Sequence, residues 1–339
     1  MSYKVTIIIS VYNTESFIER CLNSALNQTF ESIEYLLIDD VSTDNTIAKI
    51  KGVVEKSPRR KDVKLIQNKV NKGIGAVRDL AFRIFEGEYL FFLDGDDELF
   101  VDSIEKLYNR ALHYDSDIVI GSIEFVDTLN EGKDGDWFMR DLISDKPADL
   151  FFMGRFYPMT WNKLYRRELI VSNDIRCIPT NQEDEIISLQ MFIHAKKVVS
   201  IADITYKYFY RTDSLSNKMV LKNFISYSIS IQYLRDLRVK LLGHPYYLSY
   251  LQYVYNLNYS LIWRLKNSTL VSEYEKTKLT GEFSKPFLTI KEIVSLDSPL
   301  SLKMKFSFLF LPDSLLFYFL NNFSPFFRKL KKKYNRKAF

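Results

Sequence analysis

The 339-residue chain predicts an α/β fold, a mostly parallel sheet wrapped by helices, followed by an α-helical carboxyl-terminal region. Three observations lead there. Short apolar runs rich in β-branched residues alternate with helix-period segments through the first 120 residues, the pattern of successive βα units. From Val220 onward only the three-to-four spacing of helices recurs. Gly (11) and Pro (9) are scarce while Phe (26) and Tyr (22) are plentiful, which excludes disordered and collagen-like chains and supplies a large core.

Taken in order, Val5–Val11 reads as a buried strand, and Phe17, Ile18, Cys21, Leu22, Ala25 and Leu26 mark the apolar face of a helix. Ile33–Asp39 is a second strand. Asp44 is the expected N-cap of a helix carrying Ile47, Ile50 and Val54 on one face. Val63–Gln67 is a third strand, Gly73–Phe85 a helix, Tyr89–Asp94 a fourth strand, Val101–Tyr114 a helix and Asp117–Gly121 a short strand. The pattern then turns mixed: a strand at Trp161–Tyr165, a helix from Glu185 to His194, and strands at Val198–Ile201 and Thr205–Tyr210. A boundary near Asn217 divides the chain into an expected catalytic domain, 1–217, and a helical region, 218–339.

The net charge of +5 is unevenly spread. From Leu300 to Phe339 nine basic residues face one acid, Asp313, whereas the rest of the chain is slightly acidic at −3. A basic tail on a mildly acidic globule argues against a nucleic-acid-binding surface. Cys21 and Cys177 lack metal-ligand spacing and companion histidines, so two reduced, buried thiols in a cytoplasmic protein are expected. Val5–Val11 is too short for the apolar core of a signal peptide, and no run of 18 apolar residues would span a bilayer.

In open α/β sheets ligands sit beyond the carboxyl ends of the strands. The polar residues expected there are Asn13, Asp39-Asp40 and Asp94-Gly95-Asp96-Asp97. Residues i and i+2 of an extended chain point the same way, so Asp94 and Asp96 offer two carboxylates on one side. A hard cation such as Mg²⁺ or Mn²⁺ takes one or two carboxylates and completes its shell with phosphate oxygens and water. The same residues also suit an acidic turn that caps the next helix.

The ordered set Ile-Ile-Ile-Ser-Val-Tyr-Asn (7–13), Asp39-Asp40-Val41-Ser42-Thr43-Asp44, Asn71-Lys72-Gly73 with Arg78, and Leu93-Asp94-Gly95-Asp96-Asp97 resembles glycosyltransferase family 2, over roughly residues 4–216. The resemblance implies the Rossmann-like GT-A fold of nucleotide-sugar transferases. It implies that Val11, Tyr12 and Asn13 form the nucleotide-contacting turn, that Asp39 recognises the uracil of a UDP-sugar, that Arg78 lies near the donor, and that Asp94, Gly95 and Asp96 form the D-x-D segment. Asp94 and Asp96 would hold the metal, Mn²⁺ or Mg²⁺. Position 79, usually Asn in the family, is Asp79 here. Glu183-Asp184 matches the family's E-D pair, whose aspartate is the proposed base, with Glu183 the fallback; acids are also common at helix starts for capping and dipole reasons. Arg211, Ser214 and Ser216 match an R-x-x-S-x-S segment whose guanidinium would neutralise the leaving diphosphate. Trp161-Asn162-Lys163-Leu164-Tyr165 matches a recurrent segment near the acceptor side, where partly structural roles are expected.

The implied activity is inverting, metal-dependent transfer from a UDP-sugar to a hydroxyl of a cell-surface glycan or lipid-linked glycan, in capsule or other envelope polysaccharide synthesis. Two alternatives compete. A sugar-phosphate nucleotidyltransferase would carry a glycine-rich loop after the first strand, where Tyr12-Asn13-Thr14-Glu15 stands instead; an inactive glycan-binding or assembly subunit would lack the acids. Gly73-Ile74-Gly75 is a weak dinucleotide signal, and His113, His194 and His244 are isolated. Six tyrosines between Tyr246 and Tyr259 suit either sugar stacking or helix packing. Aromatic residues from Phe306 to Phe327 followed by Arg328-Lys329-Leu330-Lys331-Lys332-Lys333 describe an interfacial anchor, with 306–337 meeting an anionic membrane at the inner face of the cell membrane. The competing reading is a helical bundle that buries these aromatics, or a homo-oligomer interface through the helical region.

Overall fold

The structure is a computed structural model that describes residues 3–127, 139–178, 180, 183–210, 220–307 and 310–311. The chain divides into two compact units, Met1–Asn217 and Lys218–Phe339.

In the first unit β1 (Val5–Val11), β2 (Ile33–Asp39), β3 (Val63–Gln67) and β4 (Tyr89–Asp94) form a parallel sheet in the order β3-β2-β1-β4. They are joined by α1 (Ile18–Leu26), α2 (Thr46–Lys56) and α3 (Ile74–Ile84). Ile7, Ile8 and Ile9 are all fully buried, as expected for a central strand covered on both faces. On α1 the buried residues are Ile18, Cys21, Leu22, Ala25 and Leu26, the face its periodicity predicts.

The sheet continues through β8 (Lys163–Arg166), β6 (Ile118–Asp127), β9 (Val198–Tyr210) and β5 (Glu98–Leu99), with β7 (Leu142–Ser144) also on β9. β6 and β9 pair in parallel, whereas each antiparallel pairing spans only two or three residues. The sheet is therefore mostly parallel. Around it lie α4 (Ser103–Tyr114), α5 (Pro147–Phe152), α6 (Arg167–Ser172) and α7 (Glu183–His194).

The helix expected from Glu185 starts at Glu183 and that expected from Val101 at Ser103, and four further departures have an identifiable cause. The strand expected to end at Gly121 runs on to Asp127, and the two expected at Val198–Ile201 and Thr205–Tyr210 are one. β6 pairs with β9 on both sides of the interruption, and the register shifts near Ser122 leave Ile201 to Asp203 opposite no β6 partner; there Ile201 O accepts from Ser122 Oγ and Ala202 N donates to Asp141 Oδ1. The strand at Trp161–Tyr165 begins only at Lys163, because Asn162 takes a left-handed φ of 56°. Asp44 is not the N-cap: α2 starts after Asn45, and Asp44 accepts from Thr46 N (3.0 Å) and Glu15 N (3.2 Å), tying two loops together. One glycine is required by close approach. A Cβ on Gly87 would lie 2.5 Å from Thr6 N, in the backbone of the central strand β1, which would have to shift to admit it.

The second unit holds α8 (Leu221–Lys240), α9 (Tyr247–Lys266), α10 (Glu273–Ser284), α11 (Ile290–Ser295) and α12 (Leu300–Ser307). Ser272 and Thr289 cap α10 and α11 with reciprocal Glu275 and Glu292 bonds. Of the tyrosines on α9, Tyr250 and Tyr255 are buried, in keeping with helix packing. Phe306, the first aromatic of the expected membrane patch, is itself buried against Tyr255 and Phe287. Residues 312–339, which carry most of that patch and the basic run, lie outside the described residues. Among the described residues no helix is long and apolar enough to cross a membrane. Cys21 and Cys177 are both buried and form no disulfide.

Candidate active site

The strand order reverses between β1 and β4, and there the ends of three strands come level. Val11 pairs with Asp39, and Ser10 with Asp94. The polar residues that follow each strand therefore gather at one end of the sheet, the location expected for a ligand. The β1 and β2 ends are laced together. Asn13 N donates to Ser42 Oγ (2.9 Å), and Asn13 Oδ1 accepts from Thr43 N (2.8 Å). Asn13 and Val41 both take left-handed φ values, 51° and 69°, and the second is a rare conformation for a β-branched residue. Tyr12 is half exposed beside them.

The two adjacent acids of β2 and its turn do different work. Asp40 accepts from Asn68 Nδ2 (2.8 Å), Lys72 N (3.0 Å) and Gly73 N (2.7 Å), which pins the loop before α3. Gly73 takes a φ of 81° at that turn, the conformation glycine tolerates. Among the described residues the Asp39 carboxylate takes only Ser42 N, at 3.1 and 3.3 Å.

Arg78, projecting from α3 and only 1% exposed, is the hub that ties these strand ends to α7. Its guanidinium donates to Asp94 Oδ1 (3.1 Å), to Glu183 Oε1 (2.6 Å) and to Asp184 Oδ1. Burial disfavours the charged guanidinium, but Asp184, Glu183 and Asp94 outweigh it and raise the arginine's pKa. Glu183 is 3% exposed, whereas the Asp94 and Asp184 side chains are 28% and 31% exposed. The first is therefore committed to Arg78, and the other two remain partly open to solvent. Burial pushes the Asp94 carboxyl up to about 7 against the pull of Arg78, with Asp96 and Asp184 adding to the rise. Burial likewise raises Glu183.

Further down the D-G-D-D turn, Asp97 is buried and accepts from Tyr206 Oη and Phe209 N, both at 2.9 Å. Tyr206 Oη in turn accepts from Asp94 N (3.2 Å), so β9 holds the turn in place. Trp161 stacks on Tyr206 and Tyr208 with centroids 4.8 and 5.3 Å apart. Asn162 donates to Gly121 O and Ser122 O and accepts from Thr205 Oγ1. Lys163 is buried over the Tyr157 ring, and burial depresses its pKa well below the usual lysine value.

Among the described residues no group of three or more acids, histidines or cysteines is arranged to hold a metal alone. The donor set fits a cation shared with a ligand. The extended spacing predicted for the two acids does not hold, since β4 ends at Asp94 and Asp96 lies in a turn closed by Asp97 N donating to Asp94 O (3.1 Å). Asp94 and Asp96 would still be the residues to supply carboxylate oxygens, and a bound diphosphate would complete an Mg²⁺ or Mn²⁺ shell. Three carboxylates already surround Arg78, so a diphosphate placed here needs added positive charge.

Residues 6–173 match the model of glycosyl transferase family 2. The chain is 30% identical over 308 residues to a cholesterol galactosyltransferase of Borreliella burgdorferi, covering 83% of this chain and 85% of the relative. The chain belongs to glycosyltransferase family 2. It is 31% identical over 216 residues to a poly(ribitol-phosphate) beta-glucosyltransferase of Bacillus spizizenii, covering 62% of this chain and 33% of that protein. The crystal structure of Staphylococcus aureus TarS 1–349 in complex with UDP-GlcNAc superposes with a TM-score of 0.66 at 19% identity, covering 90% of each chain. That likeness establishes the GT-A fold. As a family 2 enzyme, the protein transfers a sugar from a nucleotide-sugar donor.

The glycosyltransferase fold brings Asn13, Asp39, Arg78, Asp94, Gly95, Asp96, Glu183 and Asp184 to neighbouring strand and helix ends. Arg211, Ser214 and Ser216 lie outside the described residues. Asp79, the departure from the family pattern, bonds Arg83 (2.8 Å) and Cys177 N (3.2 Å), and so joins α3 to the segment before α7. Trp161, Asn162 and Lys163 are all buried. Sequence reasoning missed Thr160, Tyr206 and the separate role of Asp97. Thr160 carried no motif; its only signal was its place next to Trp161.

Proposed function

We propose that this chain is an inverting, metal-dependent glycosyltransferase that moves a sugar from a UDP-sugar to a hydroxyl of a cell-surface glycan or lipid-linked glycan. The observation that carries the reading is the Arg78 hub, which joins Asp94 of the D-x-D segment to Asp184 of the E-D pair across 90 positions of sequence. An inverting transfer needs the leaving diphosphate and the proton acceptor close to one sugar, and the bridge supplies that closeness.

In this reading Val11, Tyr12 and Asn13 cradle the nucleotide and Asp39 selects its base. Asp94 and Asp96 hold Mn²⁺ or Mg²⁺, with Gly95 keeping the turn tight against Ser10 O, where a Cβ would approach to 3.3 Å. A divalent ion bound there supplies positive charge for the departing diphosphate, and Arg211 with Ser214 and Ser216 assists. Asp184 takes the acceptor hydroxyl's proton as its oxygen attacks the anomeric carbon, a transition state of oxocarbenium character. Glu183 neutralises Arg78 from the buried side.

One observation favours a lipid acceptor. The match to the cholesterol galactosyltransferase runs over 308 residues and so must extend beyond the 217 of the first unit. An amphiphilic acceptor accords with peripheral membrane contact through 306–337, at the inner face of the cell membrane.

The test is Asp184→Asn beside Asp96→Ala, assayed for UDP release from UDP-glucose, UDP-galactose and UDP-N-acetylglucosamine with Mn²⁺. Asp184→Asn is expected to bind UDP as the parent does while losing turnover by at least about 100-fold. Asp96→Ala is expected to lose metal-dependent turnover. Near-parental activity in either variant overturns the corresponding role.

A further inference from the structure

Thr160 stands on the loop that leads into β8 and is fully buried. Its backbone N–H (3.1 Å) and its Oγ1 hydroxyl (2.6 Å) both donate to Oδ1 of Asp184. The Arg78 guanidinium donates to the same oxygen. Three donors exhaust the accepting capacity of one carboxylate oxygen. Among the described residues Oδ2 of Asp184 receives no hydrogen bond, and the side chain as a whole is 31% exposed. The two oxygens of this carboxylate are therefore not equivalent.

We propose that Thr160 is a positioning residue for the base: with Arg78 it seals Oδ1 of Asp184 inside the protein and leaves Oδ2 as the oxygen that takes the acceptor's proton. The proposal rests on Asp184 being the base. In the step itself the acceptor O–H proton passes to Oδ2 and the acceptor oxygen forms its bond to the anomeric carbon. The bond from that carbon to the diphosphate breaks, and its electron pair leaves with UDP. A carboxylate free to rotate would divide its time between productive and unproductive orientations, and near-attack geometry is where positioning acts on rate. The titratable groups that interact with Asp184 are Arg78 from α3, Lys163 and Tyr165 from β8, Asp94 from β4, Cys177 from the segment before α7, and Glu183 and Glu185 from its own helix.

The experiment compares Thr160→Val, Thr160→Ala and Thr160→Ser with the parent and with Asp184→Asn, using UDP release from UDP-glucose, UDP-galactose and UDP-N-acetylglucosamine and direct UDP binding. Thr160→Val keeps the shape and the backbone donor but removes the hydroxyl. It is expected to lower kcat by about 10- to 100-fold with KM for the donor and UDP affinity unchanged, the loss of one charge-assisted hydrogen bond. Thr160→Ser is expected to stay within about threefold of the parent, since the hydroxyl is what matters. If the valine variant does not fold, Thr160→Ala against Thr160→Ser gives the same contrast. Parental kcat in both valine and alanine variants, a loss that appears in UDP affinity or donor KM instead of kcat, or equal losses in alanine and serine variants, overturn the role of Thr160. If those results come with an inactive Asp184→Asn, the base assignment survives and only the positioning falls. An active Asp184→Asn removes the base assignment and this proposal together.

Discussion

Replacing Arg78 by methionine would leave Asp94, Glu183 and Asp184 converging on a site with no bonded cation. The magnitude follows from burial. Arg78 is 1% exposed and Glu183 3%, so that pair is desolvated, whereas Asp94 and Asp184 remain screened by solvent through their 28% and 31% exposed side chains. Removing one partner of a buried ion pair costs about 3–5 kcal/mol, chiefly because the other charge is stranded. In a unit of this size each kcal/mol lowers Tm by about 2–4 °C, which predicts a fall of about 10 °C at pH 8. The sign of the pH dependence is fixed by Glu183, whose carboxyl burial already raises. A group with a raised folded pKa contributes stability at low pH and loses it as pH climbs through that value. Without Arg78 to offset the burial, the deficit should be smaller at pH 5 than at pH 8. Thermal unfolding followed by circular dichroism at both pH values measures it. The double variant Arg78→Met with Glu183→Gln should recover more than about 1 kcal/mol of the loss, since contacting residues couple. A single variant as stable as the parent at pH 8, or losses that simply add in the double variant, would refute the reasoning.

Other consequences are more local. Gly87→Ala places a Cβ 2.5 Å from Thr6 N and 2.7 Å from Val5 C, so β1 must shift; a loss of about 1–3 kcal/mol is expected by chemical denaturation, with the slope m unchanged. Burial raises the Glu185 carboxyl to about 7, with Asp184 adding to the rise. Its stabilising share is therefore present below about pH 4.5 and disappears as pH rises to 7, so Glu185→Gln should flatten the decline in Tm over that window, by up to about 3 kcal/mol. Tyr206→Phe removes a hydroxyl that donates to Asp97 and accepts from Asp94 N, and should cost about 1–3 kcal/mol with a weaker apparent affinity for Mn²⁺ in turnover assays.

By itself the sequence determined the strands of the first half, because period-two and period-3.6 patterns are local and a buried parallel strand admits little but apolar residues. It also determined which acids end those strands, and hence the family. Tertiary structure decided how those acids are used. Asp39 and Asp40 are neighbours in the chain, yet Asp40 is consumed by the loop before α3 and Asp39 is not. Asp94 and Asp97 share one turn, yet Asp97 is spent holding Tyr206 and Phe209. Arg78, Thr160 and Asp184 come from three separate segments and meet on one carboxylate oxygen. Hydrogen bonds act over about 3 Å, so which donor reaches which oxygen depends on how distant segments pack, and no local pattern of side chains encodes that.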